Sequence, residues 1–168
     1  MSRIMFWTVI SVVAAGLSAG KVAGGLSASK DDAPAVVAVA SAPNGPRTAT
    51  LWADGRGHFQ AEARIGTGMI RMLVDTGASI VALTESDARR AARGVSAPSG
   101  RRRISTANGI VEAPSVRIAE LRIGDVTVRD IEAIIMPDGQ LGTSLLGMSF
   151  LKRLRGFEIS GQRLLLKG

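Results

Sequence analysis

The chain has 168 residues, no cysteine, one histidine and a formal charge of +7 at pH 7. A length of this order holds one compact domain and an appendage, while the composition excludes disulfides, thiolate zinc sites and any mechanism needing two histidines from one chain. The basic balance would suit nucleic acid or an anionic membrane surface, but Arg101-Arg102-Arg103 has no interleaved aromatic residue on which bases could stack, so no nucleic-acid partner is expected and a solvated arginine face is the plainer reading.

Residues 1–3 form a short N-terminal basic segment. Residues 4–26 read as a membrane anchor or a signal sequence. An uncleaved anchor needs about 20 apolar residues, which this stretch supplies if Lys21 snorkels; Leu17-Ser18-Ala19 offers the small residues at which a signal peptide is cut. In either case the rest of the chain is expected across a membrane from its N-terminus. Residues 27–46 are rich in Ala, Gly, Ser and Pro and read as a flexible linker. Residues 47–168 are expected to form the folded domain.

Within that domain Thr48 to Ala53 predicts a strand and Asp54-Gly55-Arg56-Gly57 a turn. His58 to Ile65 alternates, with Phe59, Ala61, Ala63 and Ile65 on one side, and Gly66-Thr67-Gly68 reverses the chain. Met69 to Val74 is nearly all apolar, as in a strand buried on both faces, and Ile80 to Leu83 predicts another. Thr84 reads as an N-cap with Glu85 and Asp87 in the first turn of a helix that runs to about Arg93 and stops at Gly94. Arg101–Thr106 and the segment from Ile110 flank Ala107-Asn108-Gly109, a hairpin signal. Val116–Ile123 and Val126–Met136 alternate around Gly124-Asp125. Pro137–Thr143 predicts a loop, Ser144–Leu154 a short helix, and Gly156–Lys167 a hairpin turning at Gly161-Gln162. The class is all-β with one or two short helices.

Asp75 follows Met72-Leu73-Val74 and precedes Ile80–Leu83, so it stands at a tight turn between two apolar strands. A carboxylate there loses solvation unless hydrogen bonds or a raised pKa compensate. The residues themselves leave two readings open: an Asx-type turn in which Asp75 bonds backbone at Gly77 and does no chemistry, or a reactive carboxylate. Asp54-Gly55 and Asp138-Gly139 lack a buried strand ahead of them, so neither is a matching second aspartate. His58 reads as structural or exposed.

Three ordered motifs carry a family resemblance. Val74-Asp75-Thr76-Gly77-Ala78-Ser79 is similar to the active-site turn of the retropepsin-like aspartic proteases. Thr106-Ala107-Asn108-Gly109 resembles the flap hairpin of the bacterial, single-domain, membrane-anchored members, and Leu145-Leu146-Gly147-Met148-Ser149-Phe150-Leu151 resembles their hydrophobic-hydrophobic-Gly segment. Gly57-His58 is also similar to that group. The resemblance spans about Gly55 to Lys167 and implies one half of the acid-protease fold, a closed β-barrel or sandwich active as a C2 homodimer.

The implied activity is that of an aspartic endopeptidase. Such hydrolysis needs two carboxylates sharing one proton about a water, and the chain carries one Asp-Thr-Gly, so the resemblance implies that Asp75 meets Asp75 of a second copy. It further implies that Thr76 bonds its symmetry mate and that Gly77 brings its N–H to the carboxylate, while Ser79 either adds an outer bond to Asp75 or simply caps the turn. Ala107, Asn108 and Gly109 would form the flap over the substrate, with Leu146 and Gly147 packing beside the turn. The expected partners are a second copy, a protein or peptide substrate, and the bacterial inner membrane through the N-terminal segment, with the domain on the periplasmic side, or free in the periplasm after cleavage. No cofactor or metal is implied. The alternative is a non-catalytic dimeric peptide-binding module of the same fold.

Overall fold

The computed structural model describes residues 46–106 and 109–168. The expected anchor or signal sequence, nearly all of the linker, and Ala107 and Asn108 of the expected flap lie outside the described residues. Among the described residues no helix is long and apolar enough to cross a membrane.

The described residues form ten strands and two short α-helices: β1 (Thr48–Trp52), β2 (Gln60–Ile65), β3 (Gly68–Val74), β4 (Val81–Thr84), α1 (Glu85–Arg90), β5 (Arg101–Thr106), β6 (Gly109–Ile123), β7 (Val126–Met136), β8 (Ser144–Leu146), α2 (Met148–Leu151), β9 (Gly156–Ser160) and β10 (Arg163–Lys167). The all-β class is as the sequence indicates. Strands β2-β3-β8-β4-β7-β6 are hydrogen-bonded in that order, and β6 returns to β2 through Arg64↔Arg122 and Ile65↔Leu121. Six strands therefore close a barrel, which leaves no ring edge for another chain to pair with. β5 continues outward from β6, and a separate sheet of order β1-β10-β9 adds Leu51, Leu164 and Leu166 to the main core.

The alternation expected in β2 is present, with Ala61, Ala63 and Ile65 fully buried. In β3 the expectation of burial on both faces is corrected. Gly68, Ile70 and Met72 point inward, but Arg71 is exposed and Met69 remains 44% exposed. A barrel wall has one interior, and the outer face of the β2–β3 arm meets solvent. Burial on both faces falls instead on β4, where Val81, Ala82 and Leu83 are all buried, because the core covers one side and the β5–β6 arm the other.

Thr84 caps α1 as expected, its hydroxyl accepting the Asp87 N–H at 3.2 Å. The helix ends at Arg90, and a 3-10 turn over Ala92–Gly94 completes the run that was expected to be helical throughout. The helix expected over Ser144–Leu154 is also corrected. Ser144–Leu146 is a strand inserted between β3 and β4, parallel to the first and antiparallel to the second; helix occupies only Met148–Leu151. A short apolar run buried on both sides carries no period that tells strand from helix. Strand β6 runs unbroken past Pro114, which pairs with Arg101 on the arm; the next N–H, that of Ser115, goes to Gly100 O at 2.9 Å.

Candidate active site

Asp75 is the first residue beyond β3, on the turn that leads into β4, and its side chain is half-buried. Its Oδ1 accepts the Gly77 N–H at 2.8 Å, the bond an Asx turn makes. Its Oδ2 takes no hydrogen bond among the described residues. Gly77 permits this closeness, since a Cβ there would lie 3.1 Å from Asp75 Oδ1. Thr76 and Ser79 are exposed, and Ser79 makes no hydrogen bond to Asp75.

The turn is held from outside by the segment that follows β8. Asp75 N–H donates to Leu146 O at 3.2 Å and Met148 N–H to Ala78 O at 2.8 Å. Gly147 lies between these bonds, where a Cβ would fall 2.8 Å from Ala78 O and 2.7 Å from the carbonyl carbon of Ile80. Real side chains do not tolerate that approach, so the segment must carry glycine at this point. Leu146, fully buried, packs in the main core. A second anchor lies at the far end of β4. Ser144, fully buried, donates to Asp87 Oδ2 at 2.6 Å and accepts the Thr84 N–H at 3.1 Å. The short first distance is that of a charge-assisted bond. Sequence reading missed this serine because its partners lie 57 and 60 residues away.

The hairpin arm of β5 and β6 reaches Thr106↔Gly109, where the Thr106 hydroxyl donates to Gly109 O at 2.8 Å. Gly109 has φ +111, a conformation that favours glycine. Below the arm lies a second apolar cluster of Ile80, Ala82, Ala113, Ile134 and Met136, with Ile104, Val111, Leu141 and Leu145 packed against it. The arm thus rests its inner row on the outer faces of β4, β7 and β8, beside the strand that leaves the Asp75 turn. These residues were not singled out in the sequence, although the alternation of Val111 and Ala113 along β6 carried the signal.

Asp54 serves a different turn. Its Oδ1 accepts the Arg56 and His58 N–H groups at 2.9 Å each, Gln60 Nε2 lies 3.4 Å from Oδ2, and His58 Nδ1 is 3.8 Å from the same oxygen. The His58 and Arg56 backbone bonds, in that order, hold its carboxyl below the usual aspartate range, with the His58 charge and Gln60 adding smaller amounts. His58 is thus a half-exposed turn residue. Asp138 is exposed. Among the described residues no three His, Asp or Glu side chains converge as metal ligands.

A closed six-stranded barrel, with an Asp-Thr-Gly turn gripped by an inserted strand and a hairpin arm over its outer face, is the architecture of one lobe of an acid protease. Residues 61–153 match the family model described as "gag-polyprotein putative aspartyl protease". The crystal structure of a retropepsin-like aspartic protease from Rickettsia conorii superposes with a TM-score of 0.62 at 32% identity, covering 71% of this chain and 89% of that one. Among curated proteins, the "Uncharacterized protein in cobV 5'region" of Sinorhizobium sp. is 40% identical over 111 residues, and the "Uncharacterized protein RP867" of Rickettsia prowazekii (strain Madrid E) is 37% identical over 113. These alignments cover 66% and 67% of this chain, which spans about half the length of each relative (48%). The chain belongs to the retropepsin-like aspartic protease family.

Proposed function

We propose that the chain is an aspartic endopeptidase whose active site forms when two copies bring their Asp75 carboxylates together around one water. The observation that carries this reading is the Asp75 turn. One carboxylate oxygen is fixed by Gly77 N–H at 2.8 Å, the other makes no hydrogen bond within the described residues, and the backbone on both sides is tied to the Leu146–Met148 segment. One carboxylate per barrel is half of a general acid–base pair. Two such groups at close range cannot both ionise, so the dyad holds one shared proton; the ionised member takes a proton from water while the protonated member polarises the scissile carbonyl. In this arrangement the exposed Thr76 meets its symmetry mate across the twofold axis, and Ser79 stays at the rim. Ala107, Asn108 and Gly109 close over an extended peptide and exclude water.

The substrate is a protein segment in extended conformation, bound by strand-like hydrogen bonds between the arm and the turn. Residues 4–26 are proposed to hold the domain, residues 47–168, at the periplasmic face of the inner membrane through the 27–46 linker, or to direct its export if cleaved. The uncharged run up to Lys21 supports this.

The test is Asp75→Asn in the full chain, assayed against a denatured protein substrate at mildly acidic pH. Loss of the acid–base pair is expected to lower the cleavage rate by on the order of a hundred- to ten-thousandfold. Cleavage unchanged in Asp75→Asn sinks the proposal. Peptide binding with no cleavage by wild type at any pH would instead favour a binding module.

A further inference from the structure

We infer that Ser149 is a positioning residue for the Asp75 turn, acting through the backbone where that turn enters β4; the inference rests on the protease reading above. The Ser149 hydroxyl accepts the Val81 N–H at 2.9 Å and donates to Glu132 O at 2.7 Å. Val81 is the first residue of β4, and its ladder partner on β7 is Ala133, next to Glu132. The hydroxyl therefore spans the mouth of the β4–β7 ladder, joining a donor on one strand to an acceptor on the other. Both partners are fixed main-chain groups, so a single hydroxyl proton and one lone pair are fully committed and the side-chain rotor is set.

This bond completes a three-point grip on the turn. Leu146 O holds its first residue through Asp75 N–H, Met148 N–H holds its middle through Ala78 O, and Ser149 holds its exit. The first two points are main chain to main chain, so no substitution short of proline removes them. The third is a side chain. Strand β8 pairs with β4 at Ala82↔Leu145 alone, so the ladder on that side gives the exit little support. Without the hydroxyl, Val81 N–H and Glu132 C=O each lose this partner, and the end of the turn keeps the β4–β7 ladder but loses the side-chain tie across its mouth. A carboxylate that must meet its twin about one water is sensitive to a shift there, since misplacement by about 1 Å costs on the order of a hundredfold in rate. Ser149 touches no reacting atom in this scheme, so its loss should appear in kcat more than in KM.

The experiment uses the full chain at concentrations where specific activity has reached its plateau, so that weakened pairing of subunits is not read as slower chemistry. S149A is expected to lower kcat about ten- to a hundredfold with KM within about twofold, and S149T, which keeps the hydroxyl, to restore most of kcat. Amide hydrogen exchange is followed in the same proteins. Exchange at Val81 and Gly77 should rise in S149A relative to the barrel amide of Ile131 and return toward wild type in S149T. Unchanged kcat in S149A, or equal loss in S149A and S149T, overturns the positioning role. Unchanged exchange at Val81 overturns the clamp itself, whether or not the chain cleaves peptides. A wild type that cleaves nothing while Val81 exchange responds to S149A refutes the protease reading and leaves the clamp standing. If S149A does not fold, S149C, whose thiol bonds weakly, takes its place with the same expected directions.

Discussion

Asp54 and Asp75 both fold a carboxylate back onto the N–H two residues ahead, and they differ in how much capacity remains. Asp54 takes Arg56 and His58 N–H on one oxygen and has Gln60 and His58 beside the other, whereas the Asp75 carboxylate, among the described residues, takes the Gly77 N–H alone. Saturation suits an anchor, and an uncommitted oxygen suits chemistry with a partner. The lowered pKa of Asp54 has a consequence for stability. A group whose folded pKa lies below its unfolded value, about 3.9 for aspartate, stabilises the fold above the unfolded pKa and loses that contribution as pH falls through the folded pKa. Asp54→Asn cannot ionise. Wild type should therefore exceed Asp54→Asn in urea midpoint at pH 7, with the gap narrowing below about pH 4 as the wild-type carboxylate protonates. A gap that widens on acidification would contradict the assignment. In the sequence no buried strand is legible ahead of Asp54, but β1, with Ala49 and Leu51 in the core, does lead into this turn; what sets Asp54 apart is that its carboxylate is committed to the Arg56 and His58 N–H groups.

Among the elements, the short strand β8 and the glycine after it do most to shape the site. β8 has three residues, yet it separates β3 from β4 and places Leu146 O against Asp75 N–H. Gly147 then passes so close to Ala78 and Ile80 that one added methyl would collide with fixed backbone. Gly147→Ala is expected to destabilise the domain by about 1–3 kcal/mol, the usual cost of overpacking where neighbours cannot retreat. Urea unfolding measures it, and a midpoint equal to wild type would mean that the turn yields more easily than this packing implies. The expectation of a helix across Ser144–Leu154 failed at this element. Its apolar run is too short to display a period, and its strand character comes from neighbours roughly 70 residues earlier in the chain. Thr84 shows the opposite case: its helix cap needs only residues three positions away, and it was legible from the sequence.

For the molecule as a whole, the decisive feature is that the chain carries one Asp-Thr-Gly. The proposed enzyme is then inseparable from its pairing, and mass action applies. Below the dissociation constant of the dimer, specific activity should rise with protein concentration and then level off once pairing is complete. Stopped dilution series of the full chain, read by peptide cleavage, check this; specific activity constant down to nanomolar protein would contradict an active site shared between copies. If residues 4–26 hold the chain at a membrane surface, as proposed, confinement raises the local concentration of the second copy.

The amino-acid sequence determined the local features. The alternation of β2, the cap at Thr84, the hairpin pairing Thr106↔Gly109 and the Asp75–Gly77 bond each depend on residues a few positions apart, so propensity and period express them directly. The alternation expected along β7, by contrast, breaks at Arg129-Asp130, both exposed, and at Ala133-Ile134, both buried. Tertiary structure decided the rest. The barrel closes only because β6 returns to β2, Ser144–Leu146 becomes a strand only between β3 and β4, and β4 is buried on both faces only because the arm lies over it. Each of these rests on hydrogen bonds or apolar contacts between residues far apart in sequence, where no local pattern can specify the partner.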